Sequence, residues 1–358
     1  MRLQKKIFFL LIAVIIPITG AFANEPEPKN EPSEKKQLDV REFILEHVSD
    51  SYVWHVTKIG ENDIAIPLPV IVYSKTTGWH VFLSSVFHHS PVYDGFTISE
   101  EGKYKGKIVE KSASGEIRPF DISITKNAFA LIFSSTLLII IIMSVARSYK
   151  KNPLQSKSGF VGFMELFIMN INDDVIKPCI GKDYKKFSPY LLTVFFFIFF
   201  NNLLGIVPIF PGGANVTGNI AITLTLAFCT FLIVNIFGTK EYWREIFWPD
   251  VPVWLKVPIP LMPAIELVGV FTKPFALMIR LFANILAGHS IVLGLTCLVF
   301  VTVKLGPAMN ASMTVVSLLF TVFINMVEIL VAYIQAYVFV LLSAVFIGLA
   351  RVEPHHKH

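Results

Sequence analysis

Long apolar runs alternate with short charged clusters along this chain, and the length of each run limits what it can form. Residues 128–146 are almost uniformly apolar and long enough to cross a hydrocarbon core of about 30 Å as a helix. Residues 189–207 and 220–237 are two more runs of spanning length. Residues 259–303 and 311–350 are longer, about 45 and about 40 residues, so each helix reaches roughly 60 Å, twice the bilayer core. Such helices must tilt, bend or lie partly along the membrane. Pro263, Gly269 and Pro274 offer bending points in the first, and Gly306-Pro307 a turn between the two. Over 159–180, Phe160, Phe163, Leu166, Phe167 and Ile171 form a helical stripe with Glu165, Asp173 and Asp174 off it, the pattern of an interfacial helix.

Charges between the runs orient them. Arg147, Lys150, Lys151 and Lys157 follow the first span and put its far end in the cytoplasm. Lys182, Lys185 and Lys186 precede the second, Lys240 and Arg244 follow the third, and 208–219 between those two carries no charge, as an external loop should. The count is five crossings, N-terminus outside and C-terminus inside. Upstream, Arg2, Lys5 and Lys6, the apolar stretch 7–18 and Ala21-Phe22-Ala23 read as a signal peptide over 1–23, which agrees with an exported start. Residues 24–37, rich in Glu, Pro, Lys and Asn, read as a disordered linker. Residues 38–120 form a small external region: a short helix over 40–56, then a hairpin from the β-branched and aromatic runs 64–73 and 79–86. The membrane domain is 121–350 and 351–358 a cytoplasmic tail. The expected fold is an all-α polytopic membrane protein with a small N-terminal region containing some β.

Composition excludes several functions. Of 358 residues 54% are hydrophobic and 16% charged, against about 25% charged in soluble domains. The net charge of +5 is not gathered into a stripe, so nucleic acid is not an expected partner. Cys179, Cys229 and Cys297 all lie outside the exported region, which therefore has no disulfide framework. His47, His55, His80, His88 and His89 lack cysteines or carboxylates at ligand spacing, so no metal or other cofactor is expected. No HExxH or GxSxG motif suggests a hydrolase, and no repeated hydropathy pattern suggests a secondary transporter.

What remains is a set of polar groups inside apolar helices, each costing several kcal/mol unless it serves an ion path or a paired contact. They are Glu266, Lys273, Arg280, His289 and Glu328, with Asn284, Asn325 and Gln335 nearby. An antiparallel hairpin turning near Ala308 sets His289 opposite Glu328, and Arg280 opposite Tyr337, within a turn of Gln335. Arg280 and Asn284 share a helix face, whereas His289 points half a turn away from Arg280 and roughly 13 Å along the axis. That suits two separated aqueous pockets with a fixed positive charge between them.

The stretch Lys273-Pro274-Phe-Ala-Leu277-Met-Ile-Arg280-Leu281-Phe282-Ala-Asn284-Ile-Leu-Ala287-Gly288 resembles the KPxxLxxRLFxNxxAG signature of subunit a of the F-type ATP synthases. Gln335-Ala336-Tyr337-Val338-Phe339, Asn201-Asn202-Leu203-Leu204-Gly205 with Pro208, and Asn215-Val216-Thr217 resemble further segments of that family, over about 125–350. Many bacterial members carry Glu at the His289 position and His at the Glu328 position; here the pair is exchanged, as in mitochondrial members. Gly205 stands where some members carry Asp. The resemblance implies a non-catalytic stator subunit of a bacterial inner membrane complex, carrying protons through two offset half-channels to a c-ring, beside peripheral stalk subunit b and lipid. It implies a proton pathway of Arg280, His289, Glu328, Asn284, Gln335, Glu266 and Lys273, with Asn202, Asn215, Asn325 and Tyr337 as secondary polar lining.

Overall fold

The computed structural model describes residues 49–59, 62–90, 92–99, 102–112, 115–151, 157–207, 212–248, 261–303 and 306–351. The expected signal peptide, the linker and all of the C-terminal tail beyond Arg351 lie outside the described residues.

The first described element corrects an expectation. Where a helix was expected to run to residue 56, strand β1 (Val53–Ile59) pairs antiparallel with β2 (Asn62–Pro67). Val53, Val56 and Thr57 are β-branched and Trp54 is aromatic, so local preference and pairing agree on strand; residues 40–48 lie outside the described residues. The expected hairpin forms from β3 (Pro69–Ser74) and β4 (Gly78–Leu83). Pro67 and Pro69 break the run expected over 64–73, and its first part belongs to β2.

β3 is the centre of a three-stranded sheet with β4 and β8 (Phe120–Asp121), while β5 (Phe96–Ile98), β6 (Ile108–Ser112) and β7 (Gly115–Ile117) form an antiparallel meander. Alternate residues of β3, Val70 and Val72, meet Tyr52, Phe96 and Ile108 in a small core. Two side-chain contacts brace it. Tyr52 Oη donates to Asp121 Oδ2 at 2.5 Å, and burial with this contact raises the phenol pKa. The Glu110 carboxylate accepts from the Ser74 and Thr76 hydroxyls, each at 2.6 Å, which holds its pKa below the usual carboxylate range. His80 pairs with Asp94 at 2.6 Å, and no group of three metal-ligating side chains gathers among the described residues.

β8 leads almost directly into helix α1 (Lys126–Lys151). The β region supplies acceptors for the helix's orphan amides: Ser51 O for Lys126 N at 2.9 Å and Asp50 Oδ1 for Asn127 N at 3.0 Å. Helix α2 (Gly159–Met169) continues through a wider π-type turn at Asn170–Ile176 and a last turn at Lys177–Ile180. Phe160, Phe163 and Leu166 of its stripe face outward, as on a helix lying at a lipid surface, while Met164 and Ile171 face the protein. Helix α3 (Tyr184–Ile206) buries Phe187, Leu191, Val194, Phe195 and Ile198 in the main core. Helix α4 (Ile220–Ile236) turns by 100° into the short amphipathic α5 (Lys240–Phe247).

The chain ends in two very long helices, α6 (Leu261–Thr302, 42 residues) and α7 (Pro307–Ala350, 44 residues). They fold back on one another at Gly306, whose φ of +104° a non-glycine residue would resist. Thr302 Oγ1 donates to Asn310 Oδ1 across the turn at 3.1 Å. Ala332, Ala336, Val340 and Ala344 recur every fourth residue on α7, all buried, so a smooth stripe of mostly small side chains lets α3 and α2 approach closely. Gly348 extends that stripe, and a Cβ there would strike the Cys179 carbonyl. The far end of α7 is tied down by Arg351, which pairs with Asp183 and donates to Phe237 O. Among the described residues four helical stretches are long and apolar enough to cross a membrane, five if the bent α4–α5 pair is counted. The protein is a multi-pass membrane protein.

Candidate functional site

Where α3, α6 and α7 meet, they leave a cavity of about 210 Å³. Asn202 reaches it from α3, Asn284, Gly288 and His289 from α6, and Val327 and Glu328 from α7. Two glycines shape it. A Cβ at Gly288 would run into the Glu328 carboxylate, so this glycine makes room for the acid and sets the hairpin register within one residue of the expected His289–Glu328 facing. A Cβ at Gly205 would sit at ordinary contact distance, 3.4 Å from His289 Nε2 and 3.5 Å from Ala214 O, so α3 passes close to the imidazole at a residue without a side chain.

A network of amides fixes the cavity wall. Asn202 Oδ1 accepts from Thr217 Oγ1 at 2.6 Å, and its Nδ2 donates to Ala332 O at 3.4 Å. Next to it, Asn201 accepts from Ser134 of α1 at 2.8 Å and donates to Phe197 O at 2.8 Å. The pair Asn201-Asn202 therefore joins α1, α3, α7 and the 212–219 loop. His289 and Glu328 have no hydrogen bond or ion pair to protein among the described residues, although both face the cavity. At about 30 Å³ per water, the volume holds roughly seven, enough to satisfy both groups.

Arg280 is elsewhere. It does not line the cavity; it emerges on the exposed face of α6 and has no hydrogen bond or ion pair among the described residues. Ala276, Ala283 and Ala287 flank it on the same helical face, all exposed, leaving a shallow track from which the guanidinium projects. Large apolar side chains border the track, Phe275 and Ile279 among them. Asn284 and Ala287, one and two turns from Arg280, belong to both places: they are exposed and also line the cavity. α6 thus carries His289 into a largely apolar, partly open cavity, while Arg280 stands outside it on the exposed face.

The sequence profile of the ATP synthase A chain matches residues 129–348. The chain is 43% identical to "ATP synthase subunit a 2" of Chlorobaculum tepidum over 255 residues, 68% of each chain. It is 40% identical to "ATP synthase subunit a" of Pelodictyon phaeoclathratiforme over 280 residues, 76% of this chain and 77% of that one. A further relative of the same name, from Myxococcus xanthus, is 39% identical over 243 residues, 66% of this chain and 75% of its own.

This chain belongs to the ATP synthase A chain family.

A separate profile, a domain of unknown function, covers residues 43–129, so the β region precedes the part matched to the A chain family. In this A chain member the other sequence candidates are dispersed. Lys273 lies far along α6 from the cavity, its Nζ 5.8 Å from the centre of the Phe346 ring, beside a small void of about 20 Å³ also lined by Asn235 and Tyr242. Glu266 is within electrostatic reach of Tyr242. Asn325, Gln335 and Tyr337 do not line the cavity. Asn215 turns back to accept from Gly218 N at 2.9 Å, and its buried Nδ2 has no partner among the described residues. Asn201, Gly288 and Asn235 were not picked out from sequence as site residues. Each had a signal: Asn201 and Asn235 are amides inside apolar helices, and Gly288 closes the family signature.

Proposed function

We propose that this chain is the proton-carrying stator subunit of an ATP synthase membrane sector, working against a ring of small helical subunits that each carry one membrane carboxylate. The observation that carries the reading is that α6 presents His289 to the cavity and Arg280, outside it, on an exposed, alanine-lined track. The alanine track has the shape a closely approaching partner helix requires. An uncompensated guanidinium there calls for a carboxylate from that partner.

The chemistry follows from the groups. Water in the cavity links the exported side to His289 and Glu328, two side chains that can take up and release protons. Asn284 passes hydrogen bonds from the cavity toward the ring face. Arg280 does not deprotonate at accessible pH, so it attracts an ionised ring carboxylate and interrupts proton flow between the two sides without joining the relay. Release to the cytoplasm runs along Lys273 and Glu266, at the other end of α6. Gln335, Tyr337 and Asn325 supply secondary polar contacts along α7, and the peripheral stalk subunit b holds the stator. The N-terminal β region lies outside a bacterial inner membrane and the C-terminus in the cytoplasm. ATP itself is made elsewhere in the complex.

The test is ATP-driven acidification of inverted membrane vesicles, wild type beside Arg280→Ala. Pumping should vanish while the complex still assembles. Normal pumping by the mutant would reduce Arg280 to a packing residue and end this mechanism.

A further inference from the structure

Among the side chains by which the β region meets the membrane domain is a large one that the proton pathway has not used. Trp54 of β1 is only 3% exposed, and it is buried against Ala130 of α1 and against Ala214 and Val216 of the 212–219 loop. Phe129 meets its ring edge-on at 5.8 Å and Lys126 Nζ lies over it at 5.8 Å. β1 cannot drift from this position, because Ser51 O and the Asp50 carboxylate hold the first amides of α1. The loop beneath the indole is the one that bonds the cavity-lining Asn202. Ala214 O and the His289 ring both lie beside Gly205, 3.5 and 3.4 Å from where a Cβ there would sit, while Thr217 holds Asn202 at 2.6 Å.

We infer that Trp54 is a positioning residue for proton uptake: pressing on Ala214 and Val216, it sets the loop that fixes Asn202 and the wall beside His289, so that the β region is part of the proton inlet. This rests on the reading of the cavity as the exported-side half-channel. A rigid indole suits the task, since a large flat side chain with two torsions covers two loop residues at little entropic cost. Without it, among the described residues, the loop keeps its own short turn, the Gly213 N–H bond to Leu204 O at 3.1 Å and the Thr217–Asn202 bond. Water and Asn202 would then lose their fixed relation to His289, and small misplacements of transfer partners are costly in rate.

The experiment uses the whole ATP synthase in proteoliposomes, with synthesis rate measured against lumenal pH at fixed outer pH and fixed potassium diffusion potential. Trp54→Ala should lower the rate roughly fivefold or more at neutral lumenal pH and move the half-maximal point to more acidic lumen. Trp54→Phe should recover most of that shift. Thr217→Val leaves the indole contact in place and severs only the Asn202 bond; it should reproduce the acid shift even if Trp54→Ala fails to assemble. An unshifted midpoint in Thr217→Val, or a Trp54→Ala rate that is unchanged or reduced equally at every pH, overturns the inference. His289→Ala, run alongside, separates the two readings. If it is silent while Trp54→Ala behaves as wild type, only this inference falls; if His289→Ala keeps the wild-type profile, the half-channel reading itself falls.

Discussion

Replacing Gly288 by alanine adds one methyl group where the Glu328 carboxylate now sits. The nearest contact would be with Oε1, and Cδ and Cγ would lie at 3.3 and 3.4 Å from the new carbon. Since these atoms are the far part of a flexible side chain, Glu328 yields by rotating. An off-rotamer excursion of about 30° costs about 0.5–1.5 kcal/mol. Against this, alanine in a helix interior is favoured over glycine by about 0.5–1 kcal/mol. The two nearly cancel, so the complex should assemble and melt within a few degrees of wild type. Proton transfer is far less forgiving, because a displacement of about 1 Å can cost about 100-fold in rate, equivalent to about 2.7 kcal/mol. ATP-driven pumping in inverted vesicles should therefore fall roughly 10- to 100-fold at unchanged subunit content. Gly294→Ala, six residues along the same helix and with nothing within 4 Å of the added carbon, is the matched control and should pump normally. Pumping by Gly288→Ala within twofold of wild type would refute the reasoning. So would a loss of pumping that merely tracks a loss of assembled complex.

Two further predictions concern the ends of the molecule. Gly348→Ala drives a methyl into the Cys179 backbone carbonyl, which cannot rotate aside, so overpacking should cost about 1–3 kcal/mol and lower the melting temperature of the detergent-solubilised complex; an unchanged melting curve would show that α2 and α7 are not in close contact. In the β region the Glu110 carboxyl is held below its unfolded value of about 4.3 by the Ser74 and Thr76 hydroxyls. Its contribution to stability is therefore complete above that value and lost as pH falls through the folded pKa. Protease sensitivity of the β region should rise on acidification through this window, and Glu110→Gln should flatten that rise; an identical acid limb in the variant would remove Glu110 as its source.

The hairpin register was legible because two long helices joined by a short turn leave little freedom, so Gly288 meets Glu328 almost where residue counting puts His289. The opposition of Arg280 and His289 was legible for a similar reason: helical rotation is fixed by spacing alone. The contact of Gly205 with His289 was not, since it depends on how α3 settles against α6 and α7, and no spacing along the chain encodes that distance. For Trp54 the signal was local and the helix expectation misread it: the polarity is mixed, but the β-branched and aromatic residues favour the strand that pairs with β2. What Trp54 packs against, like the approach of Gly205 to His289, was tertiary information.

The bare guanidinium of Arg280 also bears on how the complex is built. Newly inserted and without its partner, this subunit exposes a charge on a face otherwise fit for lipid, at about 2.5–3.5 kcal/mol if the group lies at mid-membrane. The side chain must then snorkel or draw water inward. In the proposed assembly a carboxylate from the ring would remove that penalty. On that reading the charge assigned to interrupting proton flow also makes the unassembled subunit the costlier state in the membrane.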